Sequence, residues 1–177
     1  DKLDLSNGKR ILDIGCGCGA TTLEIAKMIP EGKIIGVDIS EPMLNQACKD
    51  ALEMSLSNTE FVVQDVQTDE ISKDAFDIAF SRFGVMFFED SYEAFKNINN
   101  SLKIGGQLSF VCWQEPLLNP WQSLSIQVIK QFIDLPAPPP KSPGPFAFED
   151  KSYIEDILDR SNFKEINIDD NQEEIIM

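Results

Sequence analysis

The sequence predicts an α/β fold built on a mostly parallel sheet, and three observations carry that expectation. Short apolar runs alternate with segments of helical period over the first two-thirds of the chain. Several of those runs are nearly continuous in Ile, Val and Phe, as strands covered on both faces must be. The first run opens through "GCGCG" directly into a helical segment, the arrangement that brings backbone N–H groups and a helix start to a ligand. A β-α-β-α order of this kind closes with right-handed crossovers.

The strand runs are 10–15 (RILDIG), 33–38 (KIIGVD), 59–65 (TEFVVQD), 76–81 (FDIAFS) and 106–113 (GQLSFVCW). Between the first two, residues 20–29 set Leu23, Ala26 and Ile29 on one side of a helix. Residues 41–54 set Leu44, Ala47, Cys48, Ala51 and Leu52 at amphipathic spacing, with Ser40 as N-cap and Pro42 in the first turn. Residues 91–102 bring Tyr92, Phe95 and Leu102 together, and Gly105-Gly106 is placed to stop that helix. Residues 121–133 present Leu124, Val128, Ile129 and Phe132 as an apolar face. "LPAPPPKSPGP" (135–145) excludes helix and central strand and predicts an extended connection over the domain. Residues 150–161 form a further helix with Ile154, Ile157 and Leu158 inward. "FKEINIDD" (163–170) alternates like a half-wet strand, and "QEEIIM" is expected to start a last antiparallel strand that is cut short.

At 177 residues the chain is expected to be one domain, with 1–113 as its ligand-holding core and 114–177 as helices, Pro-rich connection and terminal strands. A net charge of −15 and the lack of any basic stripe argue against a nucleic-acid partner. No apolar stretch approaches the roughly 20 residues of a bilayer span, and the start has no leader pattern, so the expected location is cytoplasmic. The four cysteines include one C-x-C pair, but with no histidine and no second close pair a metal site is not expected.

Three acids qualify the glycine loop. Asp13 lies two residues before Gly15, where a carboxylate would repel a pyrophosphate but suits a ligand with a cationic end. Asp38 ends the second run, where an acid accepts ribose hydroxyls. Asp65 ends the third, within reach of an adenine amino group. The alternative reading of Asp38 and Asp65 is that they merely cap the helices that follow them.

"LDIGCGCG", then "GVDIS", "QDV", "FDIAFSRFGVMFF" and "LKIGGQLSFV", resembles a class I S-adenosylmethionine-dependent methyltransferase over residues 9–113. The tail is similar to the bacterial small-molecule branch that includes ubiquinone- and menaquinone-type methyltransferases. The resemblance implies a Rossmann-like sheet of seven strands in the order 3-2-1-4-5-7-6, the last antiparallel. It implies that Asp13, Gly15, Gly17 and Gly19 hold the methionine portion of S-adenosyl-L-methionine. Asp38 would bind the ribose, Ile39 and Met43 would flank the adenine, and Asp65 and the Val66 amide would meet its edge. Ser81 and Arg82 would line the methyl side, with Phe83 and Met86 packing beneath. Arg82, Phe83, Trp113 and Trp121 would face a small-molecule acceptor of aromatic or lipid-like character; each of these aromatics also suits the core.

In-line methyl transfer needs mainly alignment in a dry site. With no histidine in the chain, no residue stands out as a general base. Two other readings remain at this stage: a nicotinamide-dinucleotide oxidoreductase, which Asp13 disfavours, and a non-catalytic S-adenosylmethionine-binding protein.

Overall fold

The computed structural model describes residues 4–6, 8–134, 136 and 138–173. Strands β1 (Arg10–Ile14), β2 (Lys33–Asp38), β3 (Thr59–Val63), β4 (Phe76–Arg82) and β5 (Leu102–Val111) form one parallel sheet in the order β3-β2-β1-β4-β5. The helices are α1 (Ala20–Met28), α2 (Glu41–Glu53), α3 (Ser91–Ser101), α4 (Pro120–Ile129) and α5 (Lys151–Arg160). The strand order reverses between β1 and β4, and this opens a crevice at the carboxyl ends of the strands.

Alternation along the strands divides the core between the two sheet faces. Ile11, Ile34, Ile78 and Phe80 pack with Ile25, Ala26 and Ile29 on the α1 side. Leu12, Ile14, Ile35, Val37 and Ala79 pack with Phe95, Ile98, Ile154 and Ile157 on the α3 and α5 side. Asp90 caps α3 by accepting from the Tyr92 and Glu93 amides, and Asp150 caps α5 from Ser152.

The tips of β1 and β4 are riveted together. The Ser81 hydroxyl donates to the Ile14 carbonyl at 2.7 Å and accepts from the Gly84 amide at 3.2 Å. A 3-10 turn, Val85–Phe87, follows, and the Pro-rich connection returns to it through a bond from the Gly144 amide to the Met86 carbonyl.

Several expectations are corrected. Gly105-Gly106 does not stop α3: the helix ends at Ser101, and both glycines lie inside β5, where the register against β4 shifts. Gly105 has φ +80°, and a glycine in that region accommodates a bulge without breaking the strand. On α2, Leu52 is 81% exposed and Cys48 is exposed; Leu44, Ala47 and Ala51 alone turn inward. Ser40 occupies the N-cap position of α2 without a side-chain capping bond. α4 ends at Ile129, and its apolar side chains are not a core face: Leu124, Val128, Ile129 and Phe132 are all exposed, because no described element packs over them. Residues 163–170 are not a strand: Glu165 adopts φ +56°, which interrupts the extended run, and no strand among the described residues lies beside it to accept its ladder bonds. Gln172 and Glu173 are irregular, and the rest of "QEEIIM" lies outside the described residues.

Candidate cofactor site

Asp38 organises the crevice. As the last residue of β2, its carboxylate accepts from the Gly17 amide at 2.8 Å through Oδ2 and from the Ser40 amide at 2.9 Å through Oδ1. One side chain therefore ties the glycine loop to the start of α2, and each oxygen retains a lone pair for a ligand hydroxyl. Next to it, Ile39 is 74% exposed and Met43 is 41% exposed. Two apolar side chains left in solvent beside a carboxylate form a wall against which a flat ring gains burial.

The three glycines of the loop differ in what requires them. A Cβ on Gly15 would lie 2.9 Å from the Gly84 Cα, so its bareness lets two backbone turns touch. A Cβ on Gly19 would meet Ala47 and the Phe61 ring, so that glycine seats α1 against its neighbours. Gly17 alone opens toward the Asp38 side, where a Cβ would meet only the movable end of Met43.

Asp13 is 2% exposed beneath the loop and accepts from the Thr22 hydroxyl of α1 at 2.5 Å. Burial pushes its carboxyl up to about 7, with Asp38 adding to the rise and Thr22 and Arg82 opposing it. An acid whose folded pKa exceeds its unfolded one is most at ease neutral, so its contribution to stability is lost as pH rises between about 4 and 7. Asp13→Asn is therefore expected to flatten that slope in a pH series of melting temperatures. It should also stabilise the ligand-free protein at about pH 8, by up to about 4 kcal/mol. An unchanged slope would show that Asp13 ionises without cost.

The remaining expected residues divide into two places. Asp65 lies two residues beyond β3; its Oδ1 accepts from Gln67, and Oδ2 has no donor among the described residues. Val66 is buried, and nothing among the described residues accepts from its amide. Asp13, Gly17, Asp38, Ile39, Met43, Asp65 and Val66 thus flank the carboxyl ends of β1, β2 and β3. Ser81 is buried and serves the β1–β4 rivet.

Phe83, in the left-handed region at φ +64°, stacks on Trp113 at 4.2 Å, and Trp113 meets Trp121 edge-on at 5.2 Å. These three line a cleft of about 1790 Å³ along the open edge of β5, opposite residues 162–173. Arg82 is exposed, makes no ion pair among the described residues and does not line that cleft. The aromatic trio and Arg82 therefore face different ways from adjacent strand tips.

Burial next to Asp13 and Asp38 drives the Cys16 thiol far above its ordinary value, so it stays protonated and inert. Thr22, Gly84 and Phe61 were not expected from sequence. Only "FG" after the fourth run hinted at Gly84.

A family model described as a methyltransferase domain matches residues 5–127. Phosphoethanolamine N-methyltransferase 1 of Triticum aestivum is 35% identical over 108 residues, 61% of this chain and 21% of that protein. Aklanonic acid methyltransferase DauC of Streptomyces sp. strain C5 is 34% identical over 104 residues, 58% of this chain and 47% of its own. Among solved structures, an S-adenosylmethionine-dependent methyltransferase from Mesorhizobium loti superposes with TM-score 0.56 at 27% identity, covering 61% of this chain and 48% of that one. The [4+2]-cyclase SpnF gives TM-score 0.56 at 30% identity, covering 59% and 38%. The parallel sheet, the glycine loop and the acids at successive strand tips define the class, a Rossmann-like domain of the S-adenosylmethionine-dependent methyltransferase type. Within that class, the chain belongs to the methyltransferase-domain family. It spans about a fifth to a half of the length of these two curated relatives.

No helix among the described residues is long and apolar enough to cross a membrane.

Proposed function

We propose that the protein transfers a methyl group from S-adenosylmethionine to a small-molecule acceptor, working in the cytoplasm. The observation that carries this reading is the Asp38 carboxylate, held by Gly17 and Ser40 beside an exposed apolar wall. Residues 1–113 hold the donor and 114–177 supply the acceptor side of a single domain.

The donor supplies an electrophilic methyl carbon on a sulfonium. Asp38 takes the ribose hydroxyls on its free lone pairs. Ile39 and Met43 cover the adenine, and Asp65 and the Val66 amide accept from and donate to its edge. Asp13 faces the ammonium end of the methionine portion, Gly17 leaves room for its backbone, and Gly15, Gly19 and Ser81 hold the surrounding turns. Catalysis then comes from alignment and exclusion of water.

The acceptor side is read from Arg82 and from the Phe83–Trp113–Trp121 group. Trp121 Nε1 and Gln122 Oε1 are buried without partners among the described residues, and of the two only Trp121 lines the cleft. The aromatic walls suit a planar or lipid-like acceptor, and Arg82, which lies outside that cleft at the neighbouring strand tip, suits an anionic group reached from the crevice. The names of the two curated relatives given above, with a phosphoethanolamine and an acid, are consistent with that charge. The remainder of the cleft, between Leu108 and Phe110 on one side and Ile166 and Ile168 on the other, is where an antiparallel strand would complete the order 3-2-1-4-5-7-6.

The test is transfer of labelled methyl from S-adenosylmethionine to a panel of anionic phenols, quinols and phosphoamines. Labelled product is the expected result. Donor binding without any product would favour the second reading, a non-transferring role, which the SpnF likeness and the missing base support.

A further inference from the structure

We propose that Thr22 is a positioning residue for donor binding: its bond to the buried Asp13 leaves one carboxyl oxygen for the ligand and limits the proton release that accompanies binding. The inference rests on the donor reading above, in which the loop over Asp13 takes the methionine portion. Thr22 is 0% exposed, on the inward face of α1, and its hydroxyl donates to Asp13 Oδ2 at 2.5 Å. That bond does two things. It orients the carboxyl so that Oδ1, which has no donor among the described residues, is the oxygen left for a ligand. It also favours the ionised form, since a hydroxyl donates better to a carboxylate than to a carboxylic acid.

The charged and titratable groups around the pair are few. Arg82 reaches it from β4, Asp38 from β2 and the Cys16 thiol from the glycine loop; α1 contributes only the Thr22 hydroxyl. Burial and Asp38 keep the acid partly protonated near neutral pH, and Thr22 and Arg82 together do not overcome them. An ammonium group arriving at Oδ1 is a new opposite charge in a dry place. It pins the carboxylate, and the proton leaves the carboxyl for the buffer. Affinity must then rise with pH up to about 7, by at most tenfold per unit, and level off above. It falls again as the ligand's own amino group loses its proton near about 8.

The experiment is calorimetry with S-adenosylhomocysteine, which carries the same amino-acid portion, in two buffers of different ionisation heat across this pH range. Wild type is expected to release about half a proton at pH close to 7, and less as pH rises. Thr22→Val keeps the shape but loses the hydroxyl. It should release more protons near neutral pH and bind about tenfold more weakly there, with the gap closing as pH rises, since a hydrogen bond to a charge exceeds about 1.4 kcal/mol. Thr22→Ser should restore wild-type values, and Asp13→Asn should release none. An affinity loss in Thr22→Val that is equal at every pH, with proton release unchanged, would overturn the proposal and leave Thr22 as packing. A wild type that binds with no proton release would overturn it without any variant. Failure of wild type to bind the probe at all would instead strike the donor reading on which it rests.

Discussion

Asp38→Ala is expected to weaken S-adenosylhomocysteine binding by about 3 kcal/mol, roughly 150-fold in Kd. Two losses add. The ligand loses the acceptor for its ribose hydroxyls, and hydrogen bonds to a charged partner are each worth about 1.5–3 kcal/mol. The loop also loses its anchor, because the Gly17 and Ser40 amides, now 2.8 and 2.9 Å from the carboxylate, are left without an acceptor. Asp38→Asn separates the two, since one amide oxygen can still hold one of these N–H groups while the NH₂ faces the other. It should fall between wild type and Asp38→Ala. Calorimetry gives the affinities, and urea unfolding of each variant shows how much of the effect belongs to the fold. Equal affinity in wild type and Asp38→Ala would remove Asp38 from the site.

Gly15→Ala is expected to cost about 2–5 kcal/mol of stability, enough to halve the margin of an ordinary domain. Gly15 sits at φ +66°, where an L side chain costs about 1–2 kcal/mol. Its new Cβ would lie 2.9 Å from the Gly84 Cα, which is backbone and is held by the Ser81 hydroxyl. Neither turn can move without pulling on the β1–β4 rivet, so overpacking adds about 1–3 kcal/mol. Gly17→Ala provides the control. It too has positive φ, at +55°, but its Cβ would meet the terminal methyl of Met43, which can swing away. It should cost only the conformational share, about 1–2 kcal/mol, while reducing ligand affinity because it narrows the loop beside Asp38. Urea midpoints of the two variants measure the difference directly. Equal loss in both would mean that the contact with Gly84 is not tight.

These contrasts also show how far a sequence can be read. β1, β2 and β4 were legible because their apolar runs are nearly continuous, and the buried side chains of α1 and α5 follow the helical period. The place of Asp38 at the end of β2 was legible because its apolar run stops there. α4 misled because periodicity reports that apolar residues share a face, not that anything covers it. Residues 163–170 misled for a related reason: alternation is necessary for a strand, but pairing needs a neighbour, and the edge of β5 lies across the cleft. Glycine pairs carry two meanings, and Gly105-Gly106 was a bulge where a helix stop was expected. The roles of Ser81 and Gly84 were invisible because they are made between β4 and β1, 67 residues apart for the Ser81–Ile14 bond. Thr22 looked like one more residue of a helix; only its depth and its bond to Asp13 distinguish it.

The central claim is that the crevice between Asp38, Gly17 and Met43 takes an adenosyl donor. The most direct measurement is a structure of the protein soaked with S-adenosylhomocysteine. The expected result is the nucleoside between Ile39 and Met43, with its ribose hydroxyls on the Asp38 carboxylate and its amino group toward Asp13. Density for the ligand anywhere else, or an Asp38 carboxylate still bonded only to Gly17 and Ser40 at saturating ligand, would contradict it.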